Sequence, residues 1–147
     1  MTNPDPDPSK PDLLLLSMQG FQMYEQGRYD EARDIFAKLT LQDPAEGYYR
    51  TALGATCLAV DALDEALIHF DEALRLDAAD TAALINRGEV HLRLGNIMQA
   101  AKDFARVVAL DPEQKDPLTE RARLLAVATL QSAEEAQLES VGGGSKG

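Results

Sequence analysis

Gly20-Phe21-Gln22-Met23-Tyr24-Glu25-Gln26-Gly27-Arg28-Tyr29-Asp30-Glu31-Ala32-Arg33-Asp34-Ile35-Phe36 decides the architecture, because its landmarks return twice at one fixed spacing. Shifted by 34 residues, Gly20 falls on Gly54 and Gly88, Ala32 on Ala66 and Ala100, and Phe36 on Phe70 and Phe104. Gly27, Asp61 and Gly95 form a fourth column and Asp43, Asp77 and Asp111 a fifth, while Pro44 and Pro112 flank Ala78 in a sixth. A fixed period of this length marks stacked copies of one supersecondary unit. Glycine inside a helix costs roughly 1 kcal/mol against alanine, so its recurrence predicts a neighbouring helix packed too closely for a side chain. The small Ala column predicts the same approach from the facing helix, and the Phe column is expected to fill the space between successive units.

The caps set the helix limits. Asp12 precedes the first apolar run as an N-cap, Gly27 supplies a turn, and Asp43-Pro44 breaks the chain. Helices are expected at about 13–26, 29–42, 46–60, 63–76, 81–94 and 97–110. A seventh, opened by Asp116 and Pro117, is expected to run to Glu139. Its polar Gln131, Glu134, Glu135, Gln137 and Glu139 suit the closing element of a solenoid. The columns are those of the tetratricopeptide repeat, which the chain resembles over residues 13–114. The fold expected is an all-α, right-handed α-solenoid of three tetratricopeptide helix pairs (13–46, 47–80 and 81–114) plus a capping helix at 117–139. Residues 1–12, with four prolines, are expected to form a disordered tail, and 140–147 a flexible one.

Composition narrows the function. With 14 Lys and Arg against 25 Asp and Glu the net charge is −11, which disfavours nucleic acid and anionic membrane surfaces as partners. Cys57 is the one cysteine, so no intrachain disulfide forms and a reducing cytoplasm fits best. No apolar run approaches the roughly 20 residues that span a bilayer. His69 and His91 have no Cys or His at metal-ligand spacing, and no phosphate loop or nucleophile elbow is present. No enzymatic activity, cofactor or metal is expected.

Stacked helix pairs present their first helices on the concave side. The peptide-binding groove is therefore expected to be lined by Leu14, Ser17, Phe21 and Tyr24, then Tyr48, Thr51, Ala55 and Leu58, then Ala82, Ile85, Asn86, Glu89 and Leu92. Leu14, Leu58 and Leu92 would serve equally well as core. Repeat co-chaperones that grip an acidic C-terminus use Lys and Asn on their first helices; here Ser17, Phe21, Ala52, Ile85 and Glu89 stand in corresponding places, with only Asn86 and Arg93 of suitable type. An extended apolar ligand is expected instead.

The run from Met23 to Ala32, followed by Ile35-Phe36, Leu39, Asp43, Tyr48-Tyr49 and Leu53-Gly54-Ala55, is similar to the class II chaperones of bacterial type III secretion. That resemblance implies a non-catalytic, cytoplasmic chaperone whose groove masks an apolar segment of a hydrophobic translocator subunit, with a homodimer also admissible. The alternative is a repeat adaptor or scaffold in the assembly of a bacterial envelope or pilus complex.

Overall fold

A computed structural model of the protein describes residues 11–143. The rest of the two expected tails, residues 1–10 and 144–147, lies outside the described residues. Seven helices follow in order: α1 Leu13–Glu25, α2 Tyr29–Gln42, α3 Gly47–Ala59, α4 Leu63–Leu76, α5 Thr81–Arg93, α6 Ile97–Leu110 and α7 Pro117–Gly143. Among the described residues there is no strand, and no helix is long and apolar enough to cross a membrane. The last turn of α7 corrects the sequence expectation. The helix continues past Glu139 to Gly143, because Ser140 and Val141 tolerate it and no proline intervenes.

Helix starts and stops follow local chemistry. Asp12 and Asp80 accept from the Leu15 and Ala83 backbone N–H groups at 3.2 and 3.0 Å, satisfying donors that the first turn leaves free. Each first helix ends in one recurring loop. The N–H groups of Arg28, Ala62 and Asn96 donate to the carbonyls of Met23, Cys57 and His91 at 2.8, 2.9 and 2.8 Å, respectively. This closure requires a left-handed residue, and Gly27, Asp61 and Gly95 occupy it at φ 75°, 61° and 80°. Asp61 holds that conformation despite its Cβ.

The core runs along the solenoid as three linked clusters, each centred on one phenylalanine and reaching into the next helix pair: Phe36 with Leu53, Phe70 with Val90, and Phe104 with Ala122. The Gly column has a different cause from the one its spacing suggests. A Cβ added at Gly20, Gly54 or Gly88 would lie 2.9, 2.6 or 2.5 Å from the ring of Phe36, Phe70 or Phe104. The phenylalanines thus fill the space inside each helix pair as well as reaching the next pair, and it is their rings, not neighbouring backbone, that exclude a side chain.

Candidate functional site

The concave face is built from stripes of the first helices, and a three-residue step along a helix turns the side chain by about 60°. The stripe Leu14, Tyr48 and Ala82 is exposed, and Phe21, Ala55 and Glu89 beside it are half-buried. Of the stripe three residues on, Ser17 stays half-buried beside Leu14 and Tyr48, whereas Thr51 and Ile85 turn toward the following first helix. Thr51 is buried and donates its hydroxyl to Asp80 at 2.6 Å, while Ile85, 2% exposed, packs in the cluster of Phe104 and Ala122. Leu58 is likewise buried, with Phe70 and Val90, and Leu92 packs partly into the Phe104 cluster. Thr51 and Ile85 are therefore not groove-lining residues. They seal the seam between repeats, because the next first helix covers that side of α3 and α5.

What remains open divides into two ends. At the first end a cavity of about 320 Å³ is lined by Leu14, Ser17, Glu46, Tyr48 and Tyr49. Beside it the Phe21 ring lies 5.6 Å from Tyr48 and 5.4 Å, edge-on, from Phe36. Core packing thus fixes one aromatic and offers the other to solvent. Burial and Tyr49 raise the Tyr48 phenol above its ordinary pKa, so it stays a neutral donor. At the other end a cavity of about 300 Å³ is lined by Tyr24, Ala55, Leu58, Ala59, Asn86, Glu89, Arg93 and Arg121. This end is polar: the expected lining already held Asn86 and Glu89, and Arg93 and Arg121 join them. Arg121 of α7 pairs with Glu89, and Arg93 reaches Asp61 at 3.4 Å. Arg121 lies one 34-residue period after Arg87, but the residue in register on α3 is Leu53, so no charged column marks it.

Away from the groove, folding unites residues that spacing keeps apart. Ligand-type atoms of Cys57, Glu65 and His69 lie within 4.8 Å of one another, correcting the expectation that His69 has no metal-type neighbour: α3 and α4 pack with Cys57 against the start of α4. The hydrogen bonding opposes a cation there. Arg50 Nη1 lies 3.4 Å from His69 Nδ1, and a guanidinium only donates, so Nδ1 accepts and the ring proton sits on Nε2. That nitrogen faces Glu65 Oε1 at 3.7 Å and has no lone pair to offer. Arg33 of α2 binds Glu65 from the preceding repeat. Its hydrogen bond holds the Glu65 carboxyl below its ordinary pKa, and burial followed by Arg50 does the same for His69. The cluster is a polar tie between the first two repeats.

Within that tie the Cys57 thiol is pushed up to about 11, by burial first and the Glu65 carboxylate second. Since the thiolate is the nucleophile, a disulfide reagent at pH 7 should label the native protein roughly a hundredfold more slowly than a free cysteine. One equivalent should react at the ordinary rate once the chain is unfolded in urea. Rapid labelling of the native state would show that the α3–α4 seam opens.

Residues 16–45 and 81–114 each match a family model of the tetratricopeptide repeat. The chain is 27% identical over 135 residues to DnaJ homolog subfamily C member 7 of Homo sapiens, a match covering 92% of this chain and 27% of that protein. It thus spans about a quarter of that relative's length. Among solved structures, PcrH in complex with the chaperone binding region of PopD superposes with a TM-score of 0.78 at 27% identity, over 82% of this chain and 92% of PcrH; PcrH comes from Pseudomonas aeruginosa. The first repeat domain of Spaghetti (RPAP3), bound to the HSP90 peptide SRMEEVD, gives 0.70 at 28% identity over 79% and 91%. The Yersinia enterocolitica type III secretion translocator chaperone SycD gives 0.79 over 83% and 86% at 21% identity, a likeness of fold alone. Residues 16–45 and 81–114 are tetratricopeptide repeats, and the helical solenoid of the chain is the fold of PcrH and SycD.

Proposed function

We propose that the protein is a non-catalytic, cytoplasmic binding module whose concave face holds an extended apolar segment of another protein, as a type III secretion chaperone does for a hydrophobic translocator subunit. The observation that carries this reading is the Phe21–Tyr48 aromatic pair beside exposed Leu14: a fixed, amphipathic surface at the mouth of a groove suits burial of apolar side chains. The likeness to PcrH, solved with a bound region of PopD, supports it. The net charge of −11 keeps a masked apolar segment in solution. The binding domain so assigned comprises residues 13–139 with the groove residues Leu14, Ser17, Phe21, Tyr24, Tyr48, Ala55, Asn86, Glu89 and Leu92.

Tyr48→Glu and Leu14→Glu alter exposed side chains and should leave the fold intact, whereas each weakens capture roughly thirtyfold, as loss of an aromatic anchor does. Tagged protein co-expressed in its host, followed by mass spectrometry, reads both the captured partner and its loss. Capture of a folded envelope or pilus component that survives both substitutions overturns the reading.

A second reading, an assembly adaptor that takes an acidic segment, rests on the polar end formed by Asn86, Arg93 and Arg121. It predicts that SRMEEVD peptide binds and that Arg93→Ala abolishes binding while Tyr48→Glu does not.

A further inference from the structure

The outer side of α7 has an order of its own. Its inner side, with Ala122 and Thr129 buried, packs on α6. The opposite side carries Leu124, Val127, Gln131, Glu134, Leu138 and Val141, spaced alternately three and four residues apart, the seam of a two-stranded coil. Nothing among the described residues covers its four apolar members, which are 56%, 46%, 73% and 71% exposed.

The seam is palindromic. Reflected about a point midway between Gln131 and Glu134, Leu124 falls on Val141, Val127 on Leu138 and Gln131 on Glu134. A two-fold axis there lays one α7 antiparallel on another, making four apolar layers around two central Gln–Glu layers, since an isologous contact pairs each residue with its reflection. Charge selects the same direction. The start of α7 carries Arg121 and Arg123, paired with Glu89 and Glu120, whereas Glu134, Glu135 and Glu139 fill its end without a basic residue. A parallel pair would oppose Glu134 to Glu134 and acidic end to acidic end. The antiparallel pair gives each Glu134 an amide donor, brings unlike ends together and opposes the helix dipoles. It also sets the unsupported end of each helix against the part of the other that α6 supports.

We infer that the outer seam of α7 is an antiparallel self-association surface for a second copy of this chain. Sedimentation equilibrium of the full chain over a concentration series should show a mass rising from 16.0 kDa toward twice that value. Val127→Glu and Leu138→Glu should each hold it at the monomer mass with unchanged far-ultraviolet circular dichroism, because both side chains are exposed. Gln131→Lys places two Lys–Glu pairs across the antiparallel axis and should tighten the dimer roughly two- to tenfold, whereas in a parallel pair it would oppose lysine to lysine. Leu15→Glu, on α1 at the far end, should change nothing. A wild-type chain monomeric at every concentration, weakening by Gln131→Lys, or loss of the dimer in Leu15→Glu would each overturn the inference, the first leaving the seam to a helix of some other protein.

Discussion

Phe70→Ala is expected to lower the free energy of unfolding by about 3–5 kcal/mol, a large part of the 5–15 kcal/mol typical of a whole domain. The magnitude belongs at the upper end for a structural reason. Phe70 is fully buried, and its ring lies over Gly54, where an added Cβ would meet Cε1 at 2.6 Å and Cδ1 at 2.8 Å. With no side chain at Gly54 to relax into the vacated space, the cavity persists and dispersion contacts are lost outright. The loss also falls on the middle repeat, whose neighbours on both sides depend on it. Urea denaturation followed at 222 nm measures the change through the midpoint. The converse substitution tests the same geometry: Gly54→Ala forces a methyl group into the ring and should cost about 1–3 kcal/mol. Trimming the ring in Gly54→Ala/Phe70→Leu should make the double variant less unstable than the two singles summed. A neutral Gly54→Ala would refute the account of why the column is glycine.

The architecture was legible because a solenoid writes its contacts at one sequence period. Gly20, Ala32 and Phe36 lie within one helix pair, so each copy of the pair repeats them, and the left-handed turn repeats Gly27, Asp61 and Gly95 for the same reason. What the period does not encode is how much one pair rotates on the next. That rotation turned Thr51 and Ile85 from groove into seam while Ser17 stayed at the cavity, and it buried Leu58 while leaving its counterpart Tyr24 half-exposed. The polar tie was invisible for a related reason. Cys57, Glu65 and His69 come together only after α3 folds back on α4, and Arg33 arrives from the preceding repeat. Arg121, which lines the polar end of the groove, comes from α7, where its register counterparts Leu53 and Arg87 make no column of one chemistry.

Arg87→Ala should be the second costly change, about 3 kcal/mol, although nothing in the repeat pattern marks the residue. Arg87 of α5 donates from Nε and Nη2 to the two oxygens of Asp103 on α6, at 2.9 and 2.8 Å, and from Nη1 to Asp71 on α4 at 2.9 Å. The two contacts are unequal. The Asp103 side chain is 7% exposed and that of Asp71 64%, so removing the guanidinium strands a buried carboxylate in one case and frees a solvated one in the other. Asp71→Ala should therefore cost under about 1 kcal/mol, the range of an exposed pair. Arg87→Lys keeps the charge but loses the planar fork that meets both oxygens, and should fall between. Replacing both partners, in Arg87→Met/Asp103→Leu, should restore most of the stability, since a well-packed apolar pair of similar volume matches a buried ion pair. If Asp71→Ala proves as damaging as Arg87→Ala, the stabilising contact is the bridge between repeats rather than the buried pair within the third.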